Sequence, residues 1–261
     1  MGSRHRGRLL LRVACLLALA VGGVAVPQRT GAEPVPRGVE ALLVGDSVMA
    51  GMAQPYGFPA RQLLAARHSF ILDAKGCRRL ITTSCHIGSS PPPTNAITAV
   101  KQYRGQYWAV LVMAVGYNDP TLGTASLDQA ITVMMNEAHA QNIPYVVWLT
   151  YREAGPSAAR FRAHNQLLRI RASTTPGLVI ADWAARSAGL PTSWFSADGI
   201  HLGSDAAKSM ADLIADTIDT LQWPQPATAC NLTATTSATT VATVPGTDLV
   251  AASRLNLACP P

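Results

Sequence analysis

Five short apolar runs recur along the chain, and they constrain its fold more than any other feature. They cover residues 39–44, 69–74, 108–115, 143–150 and 178–183. Continuous apolar runs of this length are typical of strands buried on both faces. Segments with helical spacing separate them, and a last one covers residues 204–221. Because strands alternate with helices, we expect right-handed βαβ units and an α/β domain built on a mainly parallel sheet.

The two ends of the chain differ from this alternating region. Residues 1–32 contain five arginines and no acidic residue, and residues 13–26 form an apolar run. This pattern is typical of a secretory signal peptide, cleaved near Ala25 or Ala32. The alternative is an uncleaved membrane anchor, for which the run is short. Residues 33–223 would form the main folded domain, and residues 224–261 a Thr- and Ala-rich C-terminal appendage.

The charge balance excludes one class of partner. The net charge is +6, but residues 33–261 contain 16 basic and 15 acidic residues, so the excess lies in the leader. No basic surface of the kind that binds nucleic acid is indicated. We expect a secreted or cell-envelope protein, monomeric, with no stable membrane span once the leader is removed.

Four cysteines follow the leader. An even number of cysteines in an exported chain predicts disulfides, and four cysteines allow three pairings. We favour the two local pairs, Cys77–Cys85 and Cys230–Cys259. The alternative is a zinc site, which the absence of a CxxC pair and of histidines at ligand spacing disfavours. We therefore expect no metal.

Polar residues follow the apolar runs at their carboxyl ends. Gly45-Asp46-Ser47 follows the first run, Gly76 the second and Gly116-Tyr117-Asn118-Asp119 the third, while Asp198 and His201 lie in the loop before the last helix. In a parallel sheet the carboxyl ends of the strands meet at one edge, where ligands bind. We expect these separate segments to form one site.

The residue types at this edge suit serine hydrolysis, which needs a nucleophile, a base, a group that orients the base and donors for the oxyanion. Ser47, at a helix start, is the candidate nucleophile, with His201 as base and Asp198 as its orienting group. The Ser47 and Gly76 backbone N–H groups and the Asn118 amide are candidate oxyanion donors. Each residue also has a structural interpretation: Ser47 as a helix cap, Asn118 in a turn, and His201 on the surface.

Taken in chain order, these motifs resemble those of the SGNH (GDSL-type) hydrolases. The resemblance spans roughly residues 39–221 and rests on Gly45-Asp46-Ser47-Val48, Gly76, Gly116-Tyr117-Asn118-Asp119 and Asp198-Gly199-Ile200-His201. It implies a three-layer, flavodoxin-like sandwich with a five-stranded parallel sheet. It also implies cleavage or transfer of acyl esters without a metal or other cofactor. The four name-giving residues would be Ser47, Gly76, Asn118 and His201, with Asp198 completing the triad.

Finer features resemble the extracytoplasmic SGNH domains attached to membrane acyltransferases that O-acetylate cell-wall glycans. These features are the GDSV form of the first motif, residues 73–76, and Asp182-Trp183 ahead of Trp194-Phe195. We therefore hypothesise an exported serine esterase that acts on small acyl groups, such as acetyl, borne by a carbohydrate or cell-envelope substrate. The alternatives are an O-acyltransferase of cell-wall glycan and a non-catalytic envelope-binding module.

Three aromatic residues near these motifs are candidates for substrate binding. Tyr117, Trp194 and Phe195 could line the acceptor side of the site, because aromatic faces suit sugars. The alternative is that these rings only pack the loops in which they lie.

Overall fold

The computed structural model describes residues 39–119 and 123–223. In this part of the chain, five strands form one sheet at the positions of the five apolar runs. The strands are β1 (Glu40–Gly45), β2 (Ser69–Ala74), β3 (Val110–Ala114), β4 (Tyr145–Leu149) and β5 (Leu178–Ala181). Every neighbouring pair is parallel. The predicted five-stranded parallel sheet is confirmed.

The strand order is β2-β1-β3-β4-β5, which is the flavodoxin-like order. Ala41 of β1 lies opposite Phe70 of β2 on one side and Val110 of β3 on the other. The chain therefore adds β2 at one side of β1 and then reverses direction to add the remaining strands at the other side. Doubly wound sheets form their sites beyond the carboxyl ends of the strands at such a reversal.

Helices cover both faces of the sheet and make the fold a three-layer sandwich. They are α1 (Ser47–Ala50), α2 (Phe58–Ala65), α3 (Ala96–Gln102), α4 (Thr124–Ala140), α5 (Ala158–Thr174), α6 (Trp183–Ala188) and α7 (Ser204–Asp219). One hydrophobic core lies between the sheet and α1, α2, α6 and α7. A second core lies between the sheet and α3, α4 and α5.

The alternation of side chains along β1 explains why its sequence is apolar throughout. Ala41 and Leu43 contribute to the first core, and Leu42 and Val44 to the second. All four side chains are fully buried. A strand covered on both faces has no solvent side, so it needs no alternating polar residues.

The last apolar run contains the end of a strand and the start of a helix. β5 ends at Ala181, and Asp182 caps α6 by accepting a hydrogen bond from the Ala185 N–H to its Oδ1 at 3.1 Å. The run continues to Trp183 because that residue, the first of α6, is buried in the first core. Apolar character marks burial here, and the capping carboxylate decides where the strand stops.

Several predictions concern parts of the chain outside the described residues. They are the signal peptide in residues 1–32, the appendage in residues 224–261 and the Cys230–Cys259 pair. The structure joins Cys77 to Cys85, one of the two favoured pairs. Within residues 39–119 and 123–223, no helix is both long enough and apolar enough to cross a bilayer.

Truncation of a core side chain on α7 should measure how much the first core stabilises the fold. Ile214 is fully buried, so Ile214→Ala should lower the free energy of unfolding by about 2–5 kcal/mol through lost apolar burial and a residual cavity. The measurement is urea unfolding followed by circular dichroism. Lys208→Ala, an exposed position of the same helix, should change it by less than about 0.5 kcal/mol. Equal effects of the two substitutions would contradict the packing described here.

Candidate active site

Ser47 is the first residue of α1 and follows β1 after a sharp turn. The helix cap is the preceding residue, Asp46, whose Oδ1 accepts a hydrogen bond from the Val48 N–H at 3.0 Å. The turn is tight, because a Cβ at Gly45 would lie 2.4 Å from the Cβ of Met49. Since Asp46 performs the capping, the hydroxyl group of Ser47 is available for a different partner.

That partner is His201. The distance from His201 Nε2 to Ser47 Oγ is 2.9 Å, and His201 Nδ1 lies 2.5 Å from Asp198 Oδ2. The other carboxylate oxygen of Asp198 accepts hydrogen bonds from the backbone N–H groups of Ile200, at 2.8 Å, and His201, at 3.0 Å. Ser47, near the start of the domain, is thus joined through hydrogen bonds to His201 and Asp198, near its end.

The environment of Asp198 favours its charged form. Partial burial opposes ionisation, but the hydrogen bonds from the Ile200 N–H, the His201 ring and the His201 N–H outweigh it. The pKa of Asp198 is therefore held below its ordinary value. An ionised carboxylate accepts a hydrogen bond from the Nδ1–H group, so Nε2 is the ring nitrogen that carries a free lone pair toward Ser47.

The carboxylate of Asp46 is a part of the site to which the sequence analysis gave no separate role. Its second oxygen, Oδ2, accepts hydrogen bonds from the backbone N–H groups of Gly116 and Tyr117, both at 3.0 Å. Asp46 is fully buried. Burial raises its pKa to about 6, although the three backbone donors act in the opposite direction. One side chain therefore connects the turn after β1 to the loop after β3.

The loop after β3 depends on a glycine. Gly116 has a φ of +139°, and a Cβ there would lie 2.2 Å from the hydroxyl oxygen of Tyr151. This close approach brings the following residues to the edge of the sheet. Asn118 is held through its side chain and its backbone. Its side-chain Nδ2 donates to the Arg78 carbonyl at 3.3 Å, and its backbone carbonyl accepts a hydrogen bond from Arg79 Nε at 2.8 Å.

Gly76 lies at the same edge, in the segment that follows β2. Gly45 and Ala74 are paired in the sheet, and the Lys75 N–H donates to the Gly45 carbonyl at 3.1 Å. Gly76 is thus close in the fold to the turn that carries Ser47. A Cβ at Gly76 would lie 2.6 Å from Cδ1 of Ile87, and the Cys77–Cys85 disulfide begins at the next residue.

A cavity of about 200 Å³ opens beside the Ser47–His201 pair. Besides those two residues it is lined by Tyr117, Asn118, residues 154–157, Arg160, Phe161, Asp198 and Ile200. Sequence reasoning missed the part that comes from the segment between β4 and α5. The signal available for it was its position at the carboxyl end of a strand, because its side chains carry no recognisable catalytic motif.

The three aromatic candidates separate in the structure. Tyr117 lines the cavity, and its hydroxyl accepts a hydrogen bond from the Arg152 N–H at 2.6 Å. Trp194 lines a different groove, with Leu63 and Leu190. Phe195 is only 8% exposed and belongs to the first core. Neither Trp194 nor Phe195 lines the cavity beside Ser47.

Across the described residues, no three side chains of His, Cys, Asp or Glu converge as they would around a metal ion. The only histidine in the wall of the cavity, His201, is engaged through both ring nitrogens. A serine hydroxyl thus contacts an imidazole nitrogen beside a space for a small molecule, an arrangement in which an imidazole can activate a hydroxyl.

No family model matches this sequence, and no curated protein matches it. Solved structures do match. The C-terminal catalytic domain of peptidoglycan O-acetyltransferase A from Streptococcus pneumoniae is 19% identical, with a TM-score of 0.51 over 70% of this chain and 94% of that one. A lipolytic G-D-S-L family member from Veillonella parvula is 14% identical, with a TM-score of 0.55 over 70% and 99% of the two chains. This chain has the SGNH hydrolase fold.

A third match with this fold is a carbohydrate acetylesterase from Sinorhizobium meliloti, at 12% identity and a TM-score of 0.54, covering 70% of this chain and all of that one. At such low sequence identities a structural match establishes the fold only. The reaction has to be inferred from the side chains of the site. In the SGNH fold of this chain, the four motif residues lie at one edge: Ser47 after β1, Gly76 after β2, Asn118 after β3 and His201 before α7.

The buried carboxylate at position 46 should make stability depend on pH in a defined direction. Its pKa is raised from 3.8 to about 6 in the folded chain, so between these values the folded state binds a proton more tightly than the unfolded state. The contribution of this group to the free energy of unfolding therefore falls as pH rises from about 4 to about 6. The Asp46→Asn variant has no titrating carboxyl group at this position. The native-minus-variant difference in the free energy of unfolding should be larger at pH 4 than at pH 8, by roughly 2 kcal/mol.

Urea unfolding of both proteins at the two pH values measures this difference. Asp46→Ala also lacks the carboxyl group, so it should show the same change with pH despite a lower stability at both values. A native-minus-variant difference that is equal at pH 4 and pH 8 would show that Asp46 is not the titrating group.

Proposed function

We propose that this chain is an exported serine esterase that removes small acyl groups, such as acetyl, from a carbohydrate or cell-envelope substrate. The observation that carries the proposal is the hydrogen-bonded series from Ser47 Oγ to His201 Nε2, at 2.9 Å, and from His201 Nδ1 to Asp198 Oδ2, at 2.5 Å. These are the contacts by which a base activates a serine hydroxyl and a carboxylate orients that base.

In the proposed reaction, Ser47 Oγ attacks the ester carbonyl while His201 Nε2 takes the hydroxyl proton. Asp198 accepts the Nδ1 proton in a hydrogen bond and stabilises the imidazolium. The tetrahedral intermediate then expels the alcohol, which takes the proton from His201, and an acyl-serine remains. Water attacks this ester with His201 again acting as base, and the carboxylic acid leaves. None of these steps needs a metal or a cofactor.

The oxyanion of the intermediate would be stabilised by three donors. The Ser47 N–H lies at the start of α1, where backbone donors are free of helical partners. The Asn118 amide nitrogen carries two N–H groups, and its bond to the Arg78 carbonyl uses one and leaves the other for the substrate. The Gly76 N–H is the third proposed donor, on the strength of its place beside the turn after β1.

The size of the cavity supports a small acyl group. Its volume of about 200 Å³ corresponds to roughly seven water molecules, which suits an acetyl group and part of an alcohol rather than a long chain. The carbohydrate substrate is proposed from the S. meliloti acetylesterase and the S. pneumoniae acetyltransferase domain. Export is proposed from the arginine-rich, apolar start of the chain.

O-acyl transfer is a second candidate function, favoured by the exposure of the base. The side chains of His201 and Asp198 are 44% and 46% exposed. A sugar hydroxyl could therefore approach the acyl-serine in place of water, since both use the same base. Hydrolysis and transfer differ only in the alcohol or water that resolves the intermediate.

Removal of the nucleophile should abolish turnover of an activated ester. For the purified chain and p-nitrophenyl acetate, Ser47→Ala should lower kcat by at least about 10³-fold, because the acyl-serine cannot form. Release of p-nitrophenol measures the rate. Ser126→Ala, an exposed serine of α4, should leave kcat unchanged.

The same assay distinguishes the alternatives. Acylated glycan detected by mass spectrometry when an oligosaccharide acceptor is added would favour the transferase. Equal turnover by native and Ser47→Ala proteins would refute the serine mechanism. A folded native protein that binds glycan but turns over no ester would indicate an envelope-binding module.

Loss of the side-chain oxyanion donor should act on the chemical step. Asn118→Ala should lower kcat for p-nitrophenyl acetate by about 10²–10³-fold with little change in KM, because the donor acts mainly on the charge that develops in the transition state. Asn136→Ala, on the exposed face of α4, is the control and should match the native enzyme. A rise in KM at constant kcat would instead assign Asn118 to ground-state binding.

A further inference from the structure

Backbone contacts join the two ends of the histidine loop, residues 194–203. Phe195 and Leu202 form an antiparallel bridge. The Ser196 N–H donates to the His201 carbonyl at 2.9 Å, and the Gly203 N–H donates to the Trp194 carbonyl at 2.7 Å. These bonds give the loop a shape of its own. They do not fix how its tip sits against the turn that carries Ser47, which depends on contacts between the loop and the rest of the domain.

Arg152 makes two such contacts. It lies just beyond β4 and is only 9% exposed. Its Nε donates to the carbonyl of Gly199, within the histidine loop, at 2.8 Å. Its Nη1 donates to the carbonyl of Ser187 at the end of α6. The guanidinium carbon lies 3.8 Å from the centre of the Phe195 ring. One side chain therefore contacts both Phe195, where the loop begins, and Gly199, near its tip.

The backbone of the same residue reaches the other half of the site. The Arg152 N–H donates to the Tyr117 hydroxyl at 2.6 Å, and the Tyr117 N–H donates to Asp46 Oδ2 at 3.0 Å. Asp46 directly precedes Ser47. A continuous series of hydrogen bonds therefore runs from the turn that carries the proposed nucleophile to the loop that carries the proposed base.

Within the described residues, the charge of Arg152 has no acidic counterpart. Among the ion pairs of the described residues, Glu153 pairs with Arg162 and Asp182 with Arg169, and none includes Arg152. A buried cation costs desolvation free energy. The planar guanidinium offsets part of this cost by donating to two carbonyls in fixed directions and by lying over an aromatic ring. Such a residue is suited to fixing relative positions rather than to neutralising a charge.

We infer that Arg152 is a positioning residue, which holds the histidine loop so that His201 Nε2 meets Ser47 Oγ. This inference rests on the proposed esterase function for its kinetic consequence. Arg152 does not line the cavity beside Ser47, so it acts through His201 and not on the substrate.

The test compares full-length native, Arg152→Met and Arg152→Lys proteins with p-nitrophenyl acetate. Methionine keeps the apolar length over Phe195 but removes every donor, so kcat should fall at least tenfold while KM stays within twofold. Lysine restores the charge and one directed donor, and it should recover part of the lost kcat. A merely structural role would lower the melting temperature without this separation of kcat from KM.

Arg169→Met is the matched control. It removes an arginine that pairs with Asp182 and makes no contact with the histidine loop, and its kcat should stay within twofold of native. A kcat for Arg152→Met within twofold of native would overturn the inference while leaving the esterase function standing. If Arg152→Met does not fold, Arg152→Lys alone is expected to show reduced kcat at unchanged KM, and native kcat in that folded variant would overturn the inference.

A second measurement does not depend on turnover. Crystal structures of the native protein and of Arg152→Lys report the separation of His201 Nε2 from Ser47 Oγ, which is 2.9 Å here. A separation beyond hydrogen-bonding distance in the variant supports the inference, and an unchanged contact overturns it. Failure of the native protein to cleave any ester would refute the proposed function, and this distance would still decide the role of Arg152.

Discussion

The buried carboxylate of Asp46 is the interaction on which the rest of the site depends. It accepts three backbone N–H groups, one from the helix it caps and two from the loop after β3. The geometry of parallel strands brings these loops to one edge, but a sheet alone does not set their mutual distance. A fully buried side chain with directed acceptors does so, at the cost of a raised pKa.

Around this carboxylate, the two sides of the site are held by different means. On one side, Asp119 accepts a hydrogen bond from the Leu80 N–H at 3.2 Å, which ties the disulfide-closed loop to the end of β3. On the other side, Arg152 connects Tyr117 to the histidine loop. Polar groups buried in this way are satisfied by backbone partners, so they define one arrangement rather than several. The contact between Ser47 and His201 lies between these two sides.

The fold by itself leaves the choice of reaction open. Esterases and an acetyltransferase domain share it with this chain at low identity, because the strands and helices supply only a scaffold. The features of this chain that bear on the reaction are local. They are a small cavity whose far wall comes from the segment between β4 and α5, and a base and carboxylate that remain nearly half exposed.

The sequence by itself determined the architecture and the chemical type of the site. Continuous apolar runs identified β1, β3 and β4, whose residues are nearly all buried because both faces of the sheet are covered there. The edge strand β2 has no buried residue. Ser47, Asn118 and His201 could be singled out because each is a reactive or polar residue directly after a strand or before a helix. The sequence also indicated the Cys77–Cys85 pair, since a short loop brings the two thiols together.

Only the tertiary structure decided which residues meet. Asp46 and Arg152 bind partners distant in sequence, and no local pattern encodes contacts between the ends of different strands. The aromatic candidates show the same limit: Tyr117 lines the cavity and Phe195 lies in the core, although both are aromatic residues beside a motif. Periodicity reports whether a residue is buried, whereas the direction of its side chain and the identity of its neighbours depend on how the helices pack against the sheet.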